Sequence, residues 1–341
     1  MEDLFQKCMV PLLGSFLMIF SSCSTQPISG VDSHLQVIQH KSKPLHSKQA
    51  FTQSETSYLT HYDLEQAADI EHHFGYLGQD QGKVAVHWFE PPKASRIVVV
   101  CHGYFDHTGT WKHAIPALLE AGNSVLIYDH PGHGLSEGEP ASINDFRDYV
   151  AVLEEVLDDC RSHSDLPIVL VGHSMGCAVI LDYLLENQGK ESHAVFIAPL
   201  VRTAGWRASK ISHAFFGQLF PTVPRVFRKN SSDRAYLEFV KADPLHCRRV
   251  PLAWTKALID WNKRSESFAA REDCQVRILQ GGRDSTVNWK FNLKFLKSKL
   301  PQSSVFMFPH GQHQLLNEAQ PLLKEVLQEL VSAVDKFPAL E

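Results

Sequence analysis

The pentapeptide Gly-His-Ser-Met-Gly at residues 172–176 is the segment of this chain with the clearest capacity for chemistry. It follows the apolar run 167–171 and precedes a helix-like stretch over 177–186. A serine held between two glycines in a sharp turn from strand to helix exposes its hydroxyl as a nucleophile. The glycines tolerate strained backbone angles, and the helix N-terminus favours negative charge. Because so short a motif also arises by chance, the assignment of Ser174 depends on partner residues elsewhere.

A base and a carboxylate are the partners that Ser174 would need. A neutral imidazole takes the hydroxyl proton, and the carboxylate orients that imidazole. Where such a turn carries the serine, the partners follow in the order Ser, Asp or Glu, His. Asp284 and His313 keep this order, and each comes after a short apolar run. Strand ends of a parallel sheet meet at one edge, so Asp284 and His313 are predicted to lie beside Ser174. His310 is a less favoured candidate for the base.

Two backbone N–H groups are predicted to bind the oxyanion that forms when a serine attacks an acyl carbonyl. One belongs to the residue after the nucleophile, which is Met175 in this chain. The other is expected from the loop 101–107, where Tyr104 is the candidate. Each such donor stabilises the transition state by about 2.7–4 kcal/mol.

The elements that must position these residues read as an α/β sequence. Apolar runs alternate with helical stretches, which predicts a mostly parallel sheet covered on both faces by helices. The predicted strands are 73–77, 83–89, 96–101, 124–128, 167–171, 194–197, 275–279 and 304–308. The predicted helices are 111–121, 143–161, 177–186, 287–300 and 315–333. The runs 83–89 and 96–101 have no helix between them, which predicts an antiparallel hairpin at one edge.

One long stretch interrupts this alternation. Residues 200–268 contain helical pieces but no obvious strand, and they follow the sixth strand of the predicted sheet. An insertion at the carboxyl edge of a parallel sheet lies over the ligand crevice, so this stretch is predicted to be a helical cap. The core is then assigned to residues 58–199 and 269–341.

The first 57 residues are predicted to lie outside the core. The apolar run 8–20 has the length of a signal-peptide core and is too short to span a bilayer. It ends before Cys23, in a sequence that resembles the lipidation site of bacterial lipoproteins, so 1–23 is predicted to be a signal peptide with Cys23 lipidated. An ordinary cleaved signal or a short disordered leader is the alternative. Residues 24–57 are polar and aperiodic, which predicts a flexible tether.

Composition narrows the possible partners. The formal net charge of −5 disfavours nucleic acid, since phosphate binding needs a basic surface. The seven cysteines form no C-x-x-C pair, and the 19 histidines include no H-E-x-x-H motif. The sequence therefore predicts no metal site and no disulfide framework. No obligate protein partner is evident.

Four segments together resemble the α/β-hydrolase superfamily, and within it the monoacylglycerol lipase and lysophospholipase group that is also classed with S33 serine aminopeptidases. They are 102–107, 129–136, 172–176 and 311–318. The resemblance spans residues 70–335 and implies an eight-stranded α/β-hydrolase fold with the roles already given to Ser174, Asp284 and His313. Cys177 and His130 stand where the family often has Gly and Arg. Neither belongs to the triad, so these departures concern the assignment to a subfamily more than the chemistry.

The first part of the predicted cap has an unusual composition. Residues 200–230 include six basic side chains and no acidic one, interleaved with aromatic residues. This pattern suits a membrane surface or an acyl pocket beside a phosphate, and it equally suits a solvated cap whose aromatics pack on the core. The candidate substrate-binding residues are Trp206, Arg207, Phe215 and Phe216.

The sequence predicts a serine hydrolase that cleaves carboxylic esters of single-chain lipids, either a lysophospholipid or a monoacylglycerol, without a metal or organic cofactor. The expected partners are the lipid ester and a membrane surface, in a bacterial cell envelope, with a cytoplasmic or secreted location as the alternative. An aminopeptidase or acyltransferase on the same scaffold remains open. A non-catalytic binding protein is a further alternative.

Overall fold

The computed structural model describes residues 30–40, 43–78, 82–186, 191–216 and 220–337. In these ranges the chain forms ten strands and ten α-helices. The strands are β1 (Glu71–Leu77), β2 (Val84–Glu90), β3 (Ile97–Cys101), β4 (Ser124–Tyr128), β5 (Ile168–His173), β6 (His193–Ile197), β7 (Thr222–Pro224), β8 (Arg249–Pro251), β9 (Gln275–Gly281) and β10 (Ser304–Phe308). The helices are α1 (Gly30–His40), α2 (Gln53–His61), α3 (Ala114–Glu120), α4 (Phe146–His163), α5 (Met175–Leu185), α6 (Trp206–Phe216), α7 (Arg234–Ala242), α8 (Leu252–Ser265), α9 (Trp289–Lys299) and α10 (Leu322–Asp335).

Eight of the strands form one sheet in the order β1-β2-β4-β3-β5-β6-β9-β10. The pairs β1–β2 and β2–β4 are antiparallel, and the others are parallel. The predicted α/β architecture is therefore confirmed. The predicted hairpin of 83–89 with 96–101 is wrong, because β2 pairs with β1 and β4. β3 is buried at every position and lies between β4 and β5, where parallel neighbours flank it on both sides.

The side chains of the central strands alternate between two apolar layers, as the period of a strand requires. Val99 of β3 packs in the layer that also contains residues of α4, α5 and α8, whereas Val98 and Val100 pack in the layer with α3 and α10. The sheet is thus covered on both faces. No helix among the described residues is both long and apolar enough to cross a bilayer.

The described part of the predicted tether differs from the expectation. Leu35 and Ile38 of α1 are buried, and Tyr76 at the edge of the sheet exchanges backbone hydrogen bonds with Lys43 and Leu45. The apolar residues of α1 are few, which is why composition alone did not reveal a helix. Cys23 and the predicted signal peptide lie outside the described residues.

The cap, residues 200–268, contains α6, α7 and α8 together with β7 and β8. These two strands form an antiparallel pair in which Val223 lies opposite Val250. Each strand is three residues long, too short for an alternating pattern to be detected in the sequence. The boundaries given to the cap and the core stay a prediction.

A buried carboxylate joins the cap to the core. Asp243 follows α7 and accepts hydrogen bonds from the Tyr62 hydroxyl at 2.8 Å, His107 Nε2 at 2.8 Å and His246 Nδ1 at 2.9 Å. Burial alone would raise the pKa of Asp243, but its interactions with His107 and His246 outweigh burial and lower that pKa. An ionised Asp243 therefore ties together the end of α2, the loop after β3 and the cap.

We expect Asp243→Asn to lower the free energy of unfolding by about 3–5 kcal/mol, because the change leaves buried donors without an ionised acceptor. Urea unfolding measures the effect. Asp260→Asn is the matched control, since its pair with Lys256 is exposed and contributes about 0–1 kcal/mol. Equal stability of the two variants would contradict the role of Asp243.

Candidate active site

Ser174 lies in the sharp turn between β5 and α5. Its φ of +51° is a strained conformation for a residue other than glycine, and such strain is found at functional sites. The turn requires glycine at position 176, because a Cβ there would lie 2.0 Å from the Cys101 carbonyl oxygen. The N-terminus of α5 consequently packs against the end of β3, and the Ser174 hydroxyl faces the carboxyl edge of the sheet.

The structure brings Ser174, Asp284 and His313 together, although they are far apart in the chain. His313 Nε2 lies 3.0 Å from Ser174 Oγ, and His313 Nδ1 lies 2.8 Å from Asp284 Oδ2. Asp284 follows β9 and His313 follows β10, and all three side chains are buried. The other carboxylate oxygen of Asp284 accepts the N–H groups of Thr286 at 2.7 Å and Val287 at 3.1 Å. The arrangement can transfer the hydroxyl proton to His313.

The pKa values of this pair move in opposite directions. Burial alone would lower the pKa of His313, but the Asp284 carboxylate raises it above its ordinary value. Burial alone would raise the pKa of Asp284, but the charge and hydrogen bond of His313 lower it. Asp284 therefore remains ionised and stabilises the imidazolium that forms when His313 accepts the proton.

The predicted oxyanion residues lie next to Ser174. Met175 is the first residue of α5, so its N–H has no acceptor within the helix. Tyr104 lines the same cavity as Ser174, and its ring stacks on Trp254 at 3.6 Å while its hydroxyl donates to the Ala141 carbonyl at 2.7 Å. These contacts fix the loop after β3. The role of both N–H groups as oxyanion donors stays a prediction that this placement supports.

A second buried network holds the backbone of the base. His173 Nδ1 lies 3.1 Å from Asp106 Oδ2, and His173 Nε2 lies 3.1 Å from the carbonyl oxygen of His313. Gln314 Nε2 also donates to Asp106, at 3.2 Å from each carboxylate oxygen. Neither His173 nor Asp106 is a candidate site residue from the sequence alone. The only sequence indication was their position inside the motifs 172–176 and 102–107.

The loop that carries His313 is also tied to the cap. Buried Glu318 accepts the N–H groups of Gln312 and Ser232, and the Gln314 N–H donates to the Asn230 carbonyl at 2.9 Å. These hydrogen bonds between residues 230–232 of the cap and residues 312–318 hold the loop that carries His313. His310, the alternative base, is exposed and does not line the cavity that holds Ser174.

A cavity of about 910 Å³ opens above Ser174 between the core and the cap. Trp206, a predicted substrate-binding residue, lines it, and so does Ser209 one helical turn further on. Arg207 is exposed and does not line the cavity, because on α6 it points away from the face shared by Trp206 and Ser209. The side chains of Phe215 and Phe216 lie outside the described residues.

Two groups of side chains in the described ranges are close enough to share a cation. One is His46 with Asp159 and His163, and the other is the Asp243 cluster. Neither group lines the cavity above Ser174. The expectation that the reaction needs no metal stays a prediction.

For acyl transfer at Ser174 we expect kcat/KM to fall as the pH drops through the pKa of His313, which lies above its ordinary value of about 6.5. Asp284→Asn removes the charge that raises this pKa. It should therefore move the acid limb to lower pH and reduce kcat by about 10⁴-fold. Hydrolysis of a p-nitrophenyl ester between pH 5 and 9 measures both effects, with the exposed Asp273→Asn as control. An unchanged acid limb in Asp284→Asn would contradict the pairing.

Comparison with known proteins places this site in a family. The profile of the family described as serine aminopeptidase, S33 matches residues 92–320. A monoglyceride lipase from Mus musculus is 29% identical over 252 residues, which cover 71% of this chain and 82% of that protein. A monoacylglycerol lipase from Mycolicibacterium smegmatis is 27% identical over 258 residues, which cover 72% of this chain and 90% of that protein.

A solved structure confirms the fold. The structure of a soluble variant of monoglyceride lipase from Saccharomyces cerevisiae, in complex with a substrate analog, matches with a TM-score of 0.68 and 19% identity. The match covers 80% of this chain and 96% of that chain. The family match includes the residues from β3 through His313. The chain therefore belongs to the S33 serine aminopeptidase family and has the α/β-hydrolase fold.

Proposed function

We propose that this chain hydrolyses a carboxylic ester of a single-chain lipid through an acyl-enzyme on Ser174. The observation that carries the proposal is that the Ser174–His313–Asp284 arrangement opens into a large cavity with extensive apolar walls. Its apolar lining comes from both the core and the cap and includes Leu200, Val223, Leu237, Val240, Leu258 and Val287. A long acyl chain fits such a surface. The lipases among the relatives support the same substrate class.

The geometry supports the following reaction as part of this proposal. His313 takes the proton of Ser174 as the oxygen attacks the acyl carbonyl, and the N–H groups of Met175 and Tyr104 bind the oxyanion. The protonated His313 then donates its proton to the leaving alcohol. Water, activated by His313 in turn, releases the fatty acid from Ser174 and restores the free hydroxyl.

An aminopeptidase is the second candidate, because the family carries that name. It would need an unpaired carboxylate in the cavity to bind the substrate amine. The acidic residues that line the cavity are Asp106 and Glu238, and both are engaged, Asp106 by His173 and Glu238 by Lys241. The cavity therefore favours an ester over an amine-terminated peptide. An acyltransferase would form the same acyl-enzyme. Measuring the fatty acid released in the presence of an acceptor alcohol distinguishes a hydrolase from an acyltransferase.

We expect the wild-type enzyme to release fatty acid from monoacylglycerols or lysophospholipids faster than it cleaves aminoacyl anilides. Ser174→Ala should lose at least about 10⁴-fold in kcat and should lose labelling by a fluorophosphonate probe, because the nucleophile is gone. One panel of lysophospholipids, monoacylglycerols, short esters and anilides measures this. Preferential cleavage of anilides would support the aminopeptidase, and labelling that survives in Ser174→Ala would contradict the nucleophile.

A membrane surface is proposed as the place where the substrate is captured. The exposed face of α6 presents Arg207, Lys210 and Ile211, and Ile211 is 58% exposed. Val226 on the cap is 75% exposed and also lines the mouth of the cavity. Cations beside exposed apolar side chains suit an anionic bilayer surface.

We expect Ile211→Ser to lower turnover of monoacylglycerol held in anionic vesicles by about tenfold, since it removes apolar area that would enter the bilayer. Turnover of a soluble short ester should stay unchanged. Val305→Ser is the matched control, because Val305 is 45% exposed on β10 at the far edge of the sheet. Equal vesicle turnover in both variants would argue against docking through α6.

The envelope location remains a prediction, and the mass of the mature N-terminus tests lipidation of Cys23.

A further inference from the structure

Arg225 lines the cavity that holds Ser174. It follows β7 and is partly buried, with its guanidinium carbon 4.1 Å from the centre of the Phe105 ring and 4.6 Å from that of Phe227. Its Nη1 donates to the Cys247 carbonyl at 3.2 Å. The two rings and this hydrogen bond hold the guanidinium group in one place.

The charge of Arg225 has no carboxylate partner among the described residues. No ion pair among the described residues includes Arg225. Its side chain donates one hydrogen bond to a protein acceptor in these ranges, the bond from Nη1 to the Cys247 carbonyl. The nearby Asp106 is already engaged by His173 and Gln314. Burial lowers the pKa of Arg225 and outweighs the opposing influence of Asp106. Most of its N–H donors are therefore left for a ligand.

The neighbouring lining residues add positive charge. Arg228, Lys229 and Arg234 line the same cavity, and no ion pair within the described ranges involves them. Glu238 on this wall pairs with Lys241 at 2.7 Å. The wall therefore keeps an excess of cations, although the chain as a whole has a net charge of −5. Such a wall attracts an anionic head group more strongly than a neutral one.

Phe105 connects this charge to the loop that is proposed to bind the oxyanion. Phe105 has a φ of +68°, a conformation that bulky residues rarely adopt, and it directly follows Tyr104 in the oxyanion loop. The strained turn directs the Phe105 ring under Arg225. The loop that would bind the acyl oxyanion thus also supports the guanidinium group.

We infer that Arg225 is the centre of an anion subsite that binds the phosphate of a lysophospholipid head group while Ser174 attacks the acyl ester. The inference rests on the proposed lipid-ester hydrolysis and specifies its substrate. A guanidinium group binds two phosphate oxygens at once, and stacking on aromatic rings suits its planar shape. The ester C–O bond breaks, water supplies the OH of the fatty acid and the H of the alcohol, and the phosphate is unchanged.

The test compares two substrates with the same octanoyl chain, 1-octanoyl-glycero-3-phosphate and 1-octanoylglycerol. We expect the wild-type kcat/KM to be higher for the phosphate, and the ratio of the two values to fall about 10- to 100-fold in Arg225→Gln, because a charged hydrogen-bond donor is lost. Arg225→Lys should keep part of the ratio. Arg249→Gln, exposed on β8 and outside the cavity lining, should leave it unchanged. A wild-type preference for octanoylglycerol, or an unchanged ratio in Arg225→Gln, would overturn the inference.

A second measurement separates the subsite from the proposed function. Glycerol 3-phosphate, inorganic phosphate and glycerol are tested as inhibitors of p-nitrophenyl acetate hydrolysis. We expect inhibition by glycerol 3-phosphate to weaken about tenfold or more in Arg225→Gln, and to exceed that by inorganic phosphate if a head group is recognised. If neither octanoyl substrate is cleaved, the proposal of lipid-ester hydrolysis fails. The inhibition by glycerol 3-phosphate still shows whether Arg225 forms an anion subsite. Equal inhibition of wild type and Arg225→Gln would overturn it.

Discussion

The close packing of α5 against the end of β3 is the constraint on which the rest of the site depends. Only a hydrogen at position 176 leaves room for the Cys101 carbonyl, and the strained Ser174 follows from the tightness of that turn. The same contact sets the Met175 N–H beside the loop that contains Tyr104. One steric condition therefore positions both the nucleophile and the groups proposed to bind the oxyanion.

The base is positioned by independent contacts from two sides. His173, next to the nucleophile, contacts the backbone carbonyl of His313 and so links the two ends of the proton transfer. Glu318 links the same loop to the cap through Ser232. Because these contacts reach the backbone around His313, its ring can be aligned by Asp284 without help from a substrate. Such preorganisation reduces the rearrangement that the reaction itself requires.

Much of the core could be predicted from the sequence because strands buried on both faces leave continuous apolar runs, and because strand ends of a parallel sheet converge. That convergence makes Asp284 and His313 predictable without a structure. The contacts of the cap were not predictable in the same way. The Asp243 cluster joins residues distant in sequence, and β7 and β8 are too short to show a period. Composition pointed to a basic cap but not to the side chain that faces inward, which is Arg225 and not Arg207.

The division between core and cap separates chemistry from selectivity. The reacting groups lie in the turns and loops that follow β5, β9 and β10, whereas Arg225 directly follows β7 of the cap. The cap is anchored to the core elsewhere, through Asp243 and through residues 230–232. Substitutions next to β7 can therefore change the charge proposed to face the head group, while these anchors keep the loop that carries His313 in place. A basic wall and an apolar acyl pocket can then coexist in one cavity. The ester bond of the proposed substrate joins an apolar acyl chain to a charged head group, so the two parts can contact different walls.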